Sequence, residues 1–390
     1  MFASMLRTRS APFVLLALSF FLAGCGSSSH ISSCAASGNG NCACGPCPVN
    51  LGPEFLFATS NSNNGEILTL SVDHNTGALG SPVSTPGPRL AAGITSTQHQ
   101  FLYASDPLLG VAAFSIDQTT GALTTVPGGP FFVGGANPVS PLWLVGDTDL
   151  YATSVTGITG FTIASNGALT TVAGSPYAGG FDGQATLGQS STTPVNHFLY
   201  ATNFLDPNGT ISAFKVDPTS GILTTIPGTF TTGFGSFPDG IVFDGAMGPF
   251  VFVALNVTNQ IAAFSADPTT GVLTTVPGSP FASGAAPVFL ALNAAQNRLY
   301  AVNFFDLSIS GYSIAGNGAL TPVPNSPFLL PDVPGDLVVT ADNFLYVTLP
   351  KSNTIVGYSI DSSGSLTALA GSPFPASGAA LLTVVQIPAP

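Results

Sequence analysis

Residues 197–225 read HFLYATNFLDPNGTISAFKVDPTSGILTT. Three apolar runs, rich in aromatic and β-branched residues, are separated here by a polar loop at Asn203–Thr210 and a tight turn at Asp217–Gly221. Short runs bounded by Gly, Pro, Asn and Asp are typical of β-strands. Because the connections are brief, these strands are predicted to pair antiparallel with their neighbours along the chain.

The same pattern recurs seven times. Each copy contains a strand with an aromatic-Ala pair or its equivalent, namely Phe57-Ala58, Tyr103-Ala104, Tyr151-Ala152, Tyr200-Ala201, Val253-Ala254, Tyr300-Ala301 and Tyr346-Val347. A second strand, a turn such as Asp267–Gly271 and a Thr/Val strand follow, and a further apolar run precedes the next copy. Four short strands repeated at about 48 residues are typical of the blades of a β-propeller.

The two ends of the repeat array complement each other. No apolar strand precedes the first copy in Cys47–Glu54, whereas the last copy is followed by a lone apolar strand, Ala380–Ile387. We therefore predict an all-β, seven-bladed β-propeller over residues 53–390, with the C-terminal strand completing the N-terminal blade and closing the ring.

Composition excludes several classes of protein. The chain has 390 residues, of which 45 are Gly and 33 are Pro, and both are unfavourable inside helices. Only 6% of the residues are charged, and six bases against 18 acids give a net charge of −12. Binding to nucleic acid or adsorption to anionic lipid needs clusters of Lys and Arg, so neither is expected.

The N-terminus has the pattern of an export signal. Arg7 and Arg9 precede an apolar run, Ala11–Leu22, that is too short to span a bilayer. The following Leu22-Ala23-Gly24-Cys25 resembles the lipobox of bacterial lipoproteins, which implies that residues 1–24 are a signal peptide and that Cys25 is lipidated. An ordinary secretory signal is the alternative. Removal of residues 1–24 would change the net charge from −12 to −14.

Residues 25–52 are predicted to be a flexible tether rich in Ser, Gly and Cys. Four cysteines in this segment favour two disulfides in any of three pairings: Cys34, Cys42, Cys44 and Cys47. A redox dithiol at Cys44–Cys47 and a metal site are the alternatives. We expect a monomer in the cell envelope, attached to the membrane through lipid on Cys25, either on the periplasmic or on the surface side of the outer membrane.

The repeats also carry a family resemblance. Stretches such as Leu102-Tyr103-Ala104, Phe114-Ser115-Ile116-Asp117 and Gly121-Ala122-Leu123-Thr124 resemble the seven-bladed β-propeller lactonase family. That family includes 6-phosphogluconolactonase and the fungal carboxymuconate-lactonizing enzyme. The resemblance covers roughly residues 53–388, and it implies the propeller fold and the hydrolysis of a lactone.

Strand direction divides the loops between two rims, and ligands of propellers usually bind at the channel mouth on one of them. Candidate ligand residues on that rim are Asp182, Asp239, Asp336, Asn203, Asn303, Arg89 and Lys351. The three aspartates stand near the start of innermost strands in different blades and could bind calcium. Capping of loop amides is the alternative for them and for the asparagines. On the opposite rim, most acids stand in turns, where Asp bonds local backbone N–H groups.

The charge of the rim distinguishes between the two functions that remain, ligand binding and lactone hydrolysis. Anionic lactones need a basic pocket, but this rim offers only Arg89 and Lys351, and the net negative charge repels such substrates. The residues therefore favour an exported, lipid-anchored module that binds a neutral or cationic ligand or an envelope partner. A lactone hydrolase, either similar to 6-phosphogluconolactonase or calcium-dependent, is the alternative. Whether the protein is an enzyme, and which residues would catalyse, stay open at this point.

Overall fold

The computed structural model describes residues 52–388, with gaps at 61–64, 90, 92, 98–99, 107–108, 132–137, 146–147, 155, 180–183, 190–194, 246–247 and 294. The predicted signal peptide, Cys25, the four tether cysteines and Asp182 lie outside the described residues. The described part of the chain consists of strands, turns and loops. None of it is a helix of the length and apolarity that crossing a bilayer requires.

Seven antiparallel sheets, the blades, follow one another along the chain, each with strands A to D from the inside outward. Blade 1 consists of β32 (Ala379–Gln386), β1 (Glu54–Ser60), β2 (Glu66–Val72) and β3 (Val83–Pro86). Blade 2 has β4 (Gly93–Ser96), β5 (Phe101–Asp106), β6 (Gly110–Ile116) and β7 (Leu123–Thr125). Blade 3 has β8 (Pro138–Val145), β9 (Asp149–Ser154), β10 (Gly157–Ile163) and β11 (Leu169–Thr171).

The other four blades each add a short fifth strand. Blade 4 has β12 (Ala185–Gln189), β13 (His197–Thr202), β14 (Thr210–Val216), β15 (Leu223–Thr225) and β16 (Phe230–Thr231). Blade 5 has β17 (Pro238–Asp244), β18 (Phe250–Leu255), β19 (Gln260–Ala266), β20 (Leu273–Thr275) and β21 (Phe281–Ala282). Blade 6 has β22 (Pro287–Leu292), β23 (Arg298–Asn303), β24 (Ser308–Ile314), β25 (Leu320–Pro322) and β26 (Phe328–Leu329). Blade 7 has β27 (Leu337–Val339), β28 (Phe344–Leu349), β29 (Thr354–Ile360), β30 (Leu366–Ala368) and β31 (Phe374–Pro375).

The fifth strands show that the outer edge of these blades is interrupted. In blade 5, β20 pairs with one end of strand C and β21 pairs with the other end. The residues between them include Pro277 and Pro280. Proline has no N–H to donate, so it is tolerated at a sheet edge and breaks the ladder there. The sequence predicted one D strand per blade, and the split edge is an addition to that prediction.

The predicted ring closure is confirmed. Strand β32 pairs antiparallel with β1, with Phe55 opposite Val385 and Leu56 opposite Val384. Leu382 packs in one cluster with Leu56 of blade 1 and with Tyr346 of blade 7. The chain ends thus share a sheet, and the core continues across the joint between the last and the first blade.

An aromatic ring occupies the same buried position in strand B of every blade. These residues are Phe57, Tyr103, Tyr151, Tyr200, Phe252, Tyr300 and Tyr346. The pair predicted for the fifth copy, Val253-Ala254, is one residue late. Phe252 lies opposite Ala263, as Tyr200 lies opposite Ala213. A small residue on strand C makes room for the ring, and this cross-strand pairing is not visible in the strand B sequence alone.

Two rims result from the antiparallel order of the strands. We call the face with the B–C and D–A loops the upper rim and the face with the A–B and C–D turns the lower rim. The predicted role of the lower-rim turn acids is confirmed at several positions. Asp217 Oδ1, for example, accepts from the Ser220 hydroxyl at 2.8 Å and from the backbone N–H groups of Ser220 at 2.8 Å and Thr219 at 3.0 Å. These bonds lower the pKa of its carboxyl. The same arrangement occurs at Asp73, Asp117 and Asp267.

Candidate functional site

Asp239 lies at the upper rim, where the inner strand of blade 5 begins. The pairing of β17 with β18 is irregular between Pro238 and Ile241, so Asp239 does not follow the regular ladder. Its Oδ1 accepts a hydrogen bond from Gln184 Nε2 of blade 4 at 3.2 Å. The same Gln184 nitrogen lies 3.4 Å from the carbonyl oxygen of Val288 in blade 6. The side-chain amide of Gln184 therefore connects blades 4, 5 and 6.

Burial controls the protonation of Asp239. Desolvation raises the pKa of its carboxyl to about 7, against the lowering effect of hydrogen bonds from Gln184 and Asn256. A carboxyl group with a pKa near 7 exchanges a proton readily at neutral pH. Such groups are concentrated at functional sites, although structural networks also produce them.

Asp336 occupies the corresponding position at the start of the inner strand of blade 7. Its Oδ1 accepts from the backbone N–H of Leu337 at 2.8 Å, and its Oδ2 accepts from that of Leu382 at 2.9 Å. Burial outweighs these bonds and raises the pKa of Asp336 to about 7. Since Leu382 belongs to the closing strand, Asp336 joins blade 7 to blade 1. Both of its oxygens are already bonded to backbone, which favours a positioning role.

Threonine hydroxyls hold the starts of the inner strands in place. The Thr202 hydroxyl accepts from the Gln184 N–H at 2.9 Å and lies 2.9 Å from the carbonyl oxygen of Asp239, to which it donates. Thr348 repeats this with the N–H of Asp336 at 2.9 Å and the carbonyl of Ala380 at 2.7 Å. Each threonine thus connects its own blade to the next. The sequence signal was the Thr two positions after the strand B aromatic, and it was missed.

Asn203 and Asn303 lie at the upper rim, where their side chains bond to neighbouring hydroxyl groups. Asn203 Nδ2 donates to Thr210 Oγ1 at 2.8 Å, and Asn303 Nδ2 donates to Ser308 Oγ at 2.9 Å. Asn303 Oδ1 also accepts from Ser283 Oγ at 3.0 Å. Both residues are buried. These bonds connect side chains of the rim to one another, and the capping of loop amides by these asparagines stays a prediction.

The two upper-rim bases, Arg89 and Lys351, have their contacts with residues other than Asp239. Arg89 is exposed and lines a groove of about 300 Å³ together with Asp106, Leu109 and Phe114. Lys351 is largely exposed, and its Nζ lies 3.7 Å from Asp332 Oδ1. Neither base is among the groups that perturb the pKa of Asp239 or Asp336. The structure therefore places no described cation against these two carboxyls.

Other upper-rim acids stabilise loops. Asp206 Oδ1 accepts from the N–H of Asn208 at 2.9 Å, and Asp306 Oδ2 accepts from the N–H of Ala285 at 2.6 Å. Local hydrogen bonds lower the pKa of Asp206, so it stays ionised at neutral pH. The predicted calcium site stays a prediction, because its third member, Asp182, lies outside the described residues. Among the described residues, Asp239 and Asp336 are not part of a cluster of three His, Cys, Asp or Glu ligands.

Several loops of the upper rim expose apolar side chains. The upper rim exposes Leu109, Leu205, Phe234, Val257, Phe304, Phe305 and Leu329. Phe234 is 83% exposed and Phe305 is 74% exposed. We call this set the apolar collar. Exposed apolar groups that form a contiguous patch mark binding surfaces, and on this rim Phe304 and Phe305 contact each other.

Comparison with known proteins agrees with this architecture. Residues 155–284 match the family described as Lactonase, 7-bladed beta-propeller. No curated protein matches the chain significantly. Among solved structures, a candidate 6-phosphogluconolactonase from Bacteroides fragilis superposes with a TM-score of 0.68 at 21% identity, over 87% of this chain and 100% of that one.

Two further structures give the same result. The periplasmic gluconolactonase of Pseudomonas aeruginosa has a TM-score of 0.67 at 16% identity, over 86% of this chain and 100% of its own. A candidate 6-phosphogluconolactonase from Bacteroides uniformis has a TM-score of 0.66 at 20% identity, over 86% and 99% of the two chains. The resemblance to the seven-bladed β-propeller lactonase family is thereby confirmed, by the family match over residues 155–284 and by the fold of the whole propeller.

Proposed function

We propose that this protein hydrolyses a neutral lactone at the channel mouth of the upper rim, with Asp239 as the general base. The observation that carries the proposal is the position of the Asp239 carboxyl between the side-chain amides of Gln184 and Asn256, on the rim that also bears the apolar collar. The family match and the lactonase-type fold support this activity over the binding module that the sequence favoured.

The chemistry needs one proton acceptor and donors for a developing oxyanion. In the proposed reaction, the Asp239 carboxylate takes a proton from water, and the hydroxide formed attacks the lactone carbonyl carbon. The ring C–O bond then breaks, and the proton returns to the leaving oxygen, which gives the hydroxy acid. Both hydrogens of Gln184 Nε2 are directed at Asp239 Oδ1 and at the Val288 carbonyl. The proposed donor to the charge on the carbonyl oxygen is therefore the side-chain N–H group of Asn256, which also bonds the Asp239 carboxyl.

Charge argues for a neutral substrate. Phosphate or carboxylate groups on a substrate are normally held by Arg or Lys. Arg89 lies in the groove with Asp106, and Lys351 is paired with Asp332. The net charge of −12 adds a general repulsion of anions. The periplasmic gluconolactonase of Pseudomonas aeruginosa is named for an unphosphorylated lactone, and that substrate class fits these charges.

The test is hydrolysis of glucono-1,5-lactone, followed as acid release and corrected for spontaneous hydrolysis. Asp239→Asn should lower kcat about 10²- to 10⁴-fold, the usual contribution of a general base. Asp206→Asn, which alters an upper-rim acid that caps its own loop, should keep most of the activity. A parallel assay with a chelator tests the calcium-dependent alternative, because a reaction that needs calcium would stop when the chelator is added. Full activity of Asp239→Asn, or a strong preference for the phosphorylated lactone, would contradict the proposal.

The apolar collar supports a second candidate, a module that binds a neutral ligand or an envelope partner without chemistry. Phe304 and Phe305 contact each other edge to face, with ring centroids 5.5 Å apart, and Phe305 is largely exposed. Aromatic surfaces of this kind bind apolar faces of sugars and proteins. If no lactone is hydrolysed but neutral saccharides bind in calorimetry, and Phe305→Ala weakens that binding, the binding function replaces the enzymatic one.

We propose further that the chain is exported and anchored to the cell envelope through lipid on Cys25. The support is the sequence of residues 1–25, with two arginines, an apolar run and Leu22-Ala23-Gly24-Cys25. A neutral lactone substrate is compatible with an extracytoplasmic site, because phosphorylated sugars are products of intracellular kinases.

A further inference from the structure

Three ligand-type side chains meet on the lower rim, at the joint where the ring closes. Glu54 is the first residue of β1, and His74 lies in the turn after β2, so both belong to blade 1. Asp342 lies in the turn between β27 and β28 of blade 7. One ligand atom from each residue lies within 4.8 Å of the other two. The sequence does not show this cluster, because 268 residues separate His74 from Asp342.

The hydrogen bonds of His74 define which ring nitrogen faces the cluster. Nε2 lies 2.8 Å from the carbonyl oxygen of Gly52, so this nitrogen carries a hydrogen and donates it. Nδ1 faces the two carboxylates, 2.5 Å from Asp342 Oδ2 and 4.0 Å from Glu54 Oε2. Histidine ligands of metals commonly donate their second N–H to a backbone carbonyl, which fixes the ring and its tautomer. Gly52 provides that contact here.

Glu54 supplies an independent observation that a ligand belongs in the cluster. The residue is 2% exposed, and its Oε2 has no hydrogen-bond partner among the described residues. A buried carboxylate oxygen without a partner is costly, and buried charges are normally paired or bound to a metal. A proton shared by His74 and Asp342 would give both of those residues a hydrogen bond, but it would leave Glu54 Oε2 without a partner among the described residues. A cation at the centre satisfies all three.

We propose that Glu54 Oε2, His74 Nδ1 and Asp342 Oδ2 bind a zinc ion at this joint. Zinc is bound by His nitrogen and carboxylate oxygen at about 2.0–2.2 Å, and in a tetrahedron such ligand atoms are about 3.4 Å apart. The separations from Nδ1, 2.5 and 4.0 Å, lie on either side of that value. Zinc binding therefore needs the Asp342 oxygen to move away from Nδ1 by about 0.9 Å and the Glu54 oxygen to approach it by about 0.6 Å. The side chains of His74 and Asp342 are each 22% exposed, which leaves a fourth position for water.

The position of the ion gives it a structural role. Glu54 and His74 belong to the blade that contains both chain ends, whereas Asp342 belongs to the last blade. A bound ion would therefore connect the first and last blades, on the opposite rim from Asp239. Because it binds only the folded ring, it stabilises the closed propeller by mass action. This site is independent of the proposed lactone hydrolysis.

The test measures zinc binding by the full chain after its cysteines have been alkylated with iodoacetamide, since free thiols also bind zinc. Calorimetry should give one zinc ion per chain, and zinc at about 100 times its Kd should raise the melting temperature by roughly 2–5 °C. His74→Gln and Glu54→Gln should abolish the shift. His197→Gln, which removes a lower-rim histidine in blade 4, should leave it unchanged. An equal shift in His74→Gln, or no zinc binding by the unsubstituted chain, would overturn the proposal.

A spectrum of the unsubstituted protein keeps the proposal testable if a variant does not fold. Cobalt(II) bound in place of zinc to one imidazole and two carboxylates should show visible d–d bands without a thiolate charge-transfer band. A thiolate band, or no d–d bands at saturating cobalt, would show that the metal binds elsewhere or not at all, and either result would contradict the assignment to Glu54, His74 and Asp342.

Discussion

The hydroxyl group of Tyr346 donates a 2.6 Å hydrogen bond to the carbonyl oxygen of Gly77, which lies 269 residues earlier in the chain. Internal joints use the same contact: Tyr103 donates to Gly167 at 3.0 Å and Tyr200 donates to Gly271 at 2.9 Å. In each case the strand B tyrosine of one blade reaches the C–D turn of the next. The closing joint is thus built from the contact that connects consecutive blades elsewhere in the ring.

Tyr346→Phe should lower the free energy of unfolding by about 1–3 kcal/mol, because it removes a buried hydrogen bond and leaves the Gly77 carbonyl without that donor. Urea denaturation monitored by fluorescence gives the difference. Tyr177→Phe is the matched control, since the Tyr177 hydroxyl makes an exposed local bond to Ala173; we expect a change of about 0.5 kcal/mol or less there. Equal stability of Tyr346→Phe and the unsubstituted protein would show that the contact contributes nothing to closure.

Gly77→Ala should be more damaging, with a loss of about 2–4 kcal/mol. Gly77 has φ of 67°, and a Cβ at this position would lie 2.6 Å from Cδ1 of Phe344 in blade 7. Backbone strain and overpacking both contribute to this cost. Gly316→Ala serves as control, because a Cβ there meets no atom within 4 Å. Thermal or urea unfolding of the two variants should differ clearly, and similar stabilities would refute the packing argument.

Removal of residues 378–390 should prevent cooperative folding. It takes away β32, the inner strand of blade 1, and leaves the buried strand β1 with an unpaired edge. It also removes Leu382 and Val385 from two core clusters. Circular dichroism and thermal melting should show the loss, whereas deletion of residues 389–390 alone should be tolerated. A truncated chain that melts like the full one would disprove closure by the C-terminal strand.

Stability should fall as pH rises from about 4 to about 7, in part because of Asp239. Its pKa is raised from 3.8 to about 7 in the folded protein, so in this window the folded state holds a proton that the unfolded state has released. Deprotonation therefore favours unfolding until pH exceeds the folded-state pKa. Melting temperatures of Asp239→Asn across this range should depend less on pH than those of the unsubstituted protein. The catalytic rate should change in the opposite direction and increase through pH 7, since the proposed base must be ionised. A pH dependence of stability identical in both proteins would contradict the raised pKa.

Cys25→Ser should abolish incorporation of radiolabelled fatty acid and leave an uncleaved precursor. The expectation rests on Leu22-Ala23-Gly24-Cys25, in which the thiol of Cys25 is the acceptor. Expression in a bacterial host with labelled palmitate measures it directly. Cys34→Ser is the control, because this cysteine lies outside the lipobox, and it should still be labelled. Persistent labelling of Cys25→Ser would exclude the lipoprotein assignment.

Much of the fold could be predicted because its information is local and repeated. The turn Asp267–Gly271 specifies a hairpin from its own residues, and Asp267 Oδ1 indeed accepts from Thr269 and Thr270. The missing inner strand before Glu54 and the extra strand near the C-terminus predicted closure by the same reasoning. The prediction for the fifth copy was wrong, because it aligned Val253 with the strand B aromatics of the other copies. The pairing of Phe252 with Ala263 shows that Phe252 occupies the aromatic position.

The number of blades, the order of the strands and the closing strand can therefore be derived from the amino-acid sequence, since alternation and turn chemistry act over a few residues at a time. The state of individual side chains depends instead on their surroundings in the folded ring. Asp239 and Asp206 are both upper-rim aspartates, yet burial beside Gln184 raises the pKa of the first, and loop donors lower that of the second. His74 and Asp342 are separated by 268 residues. They contact each other because the ring closes there, and the geometry of closure depends on all seven blades together.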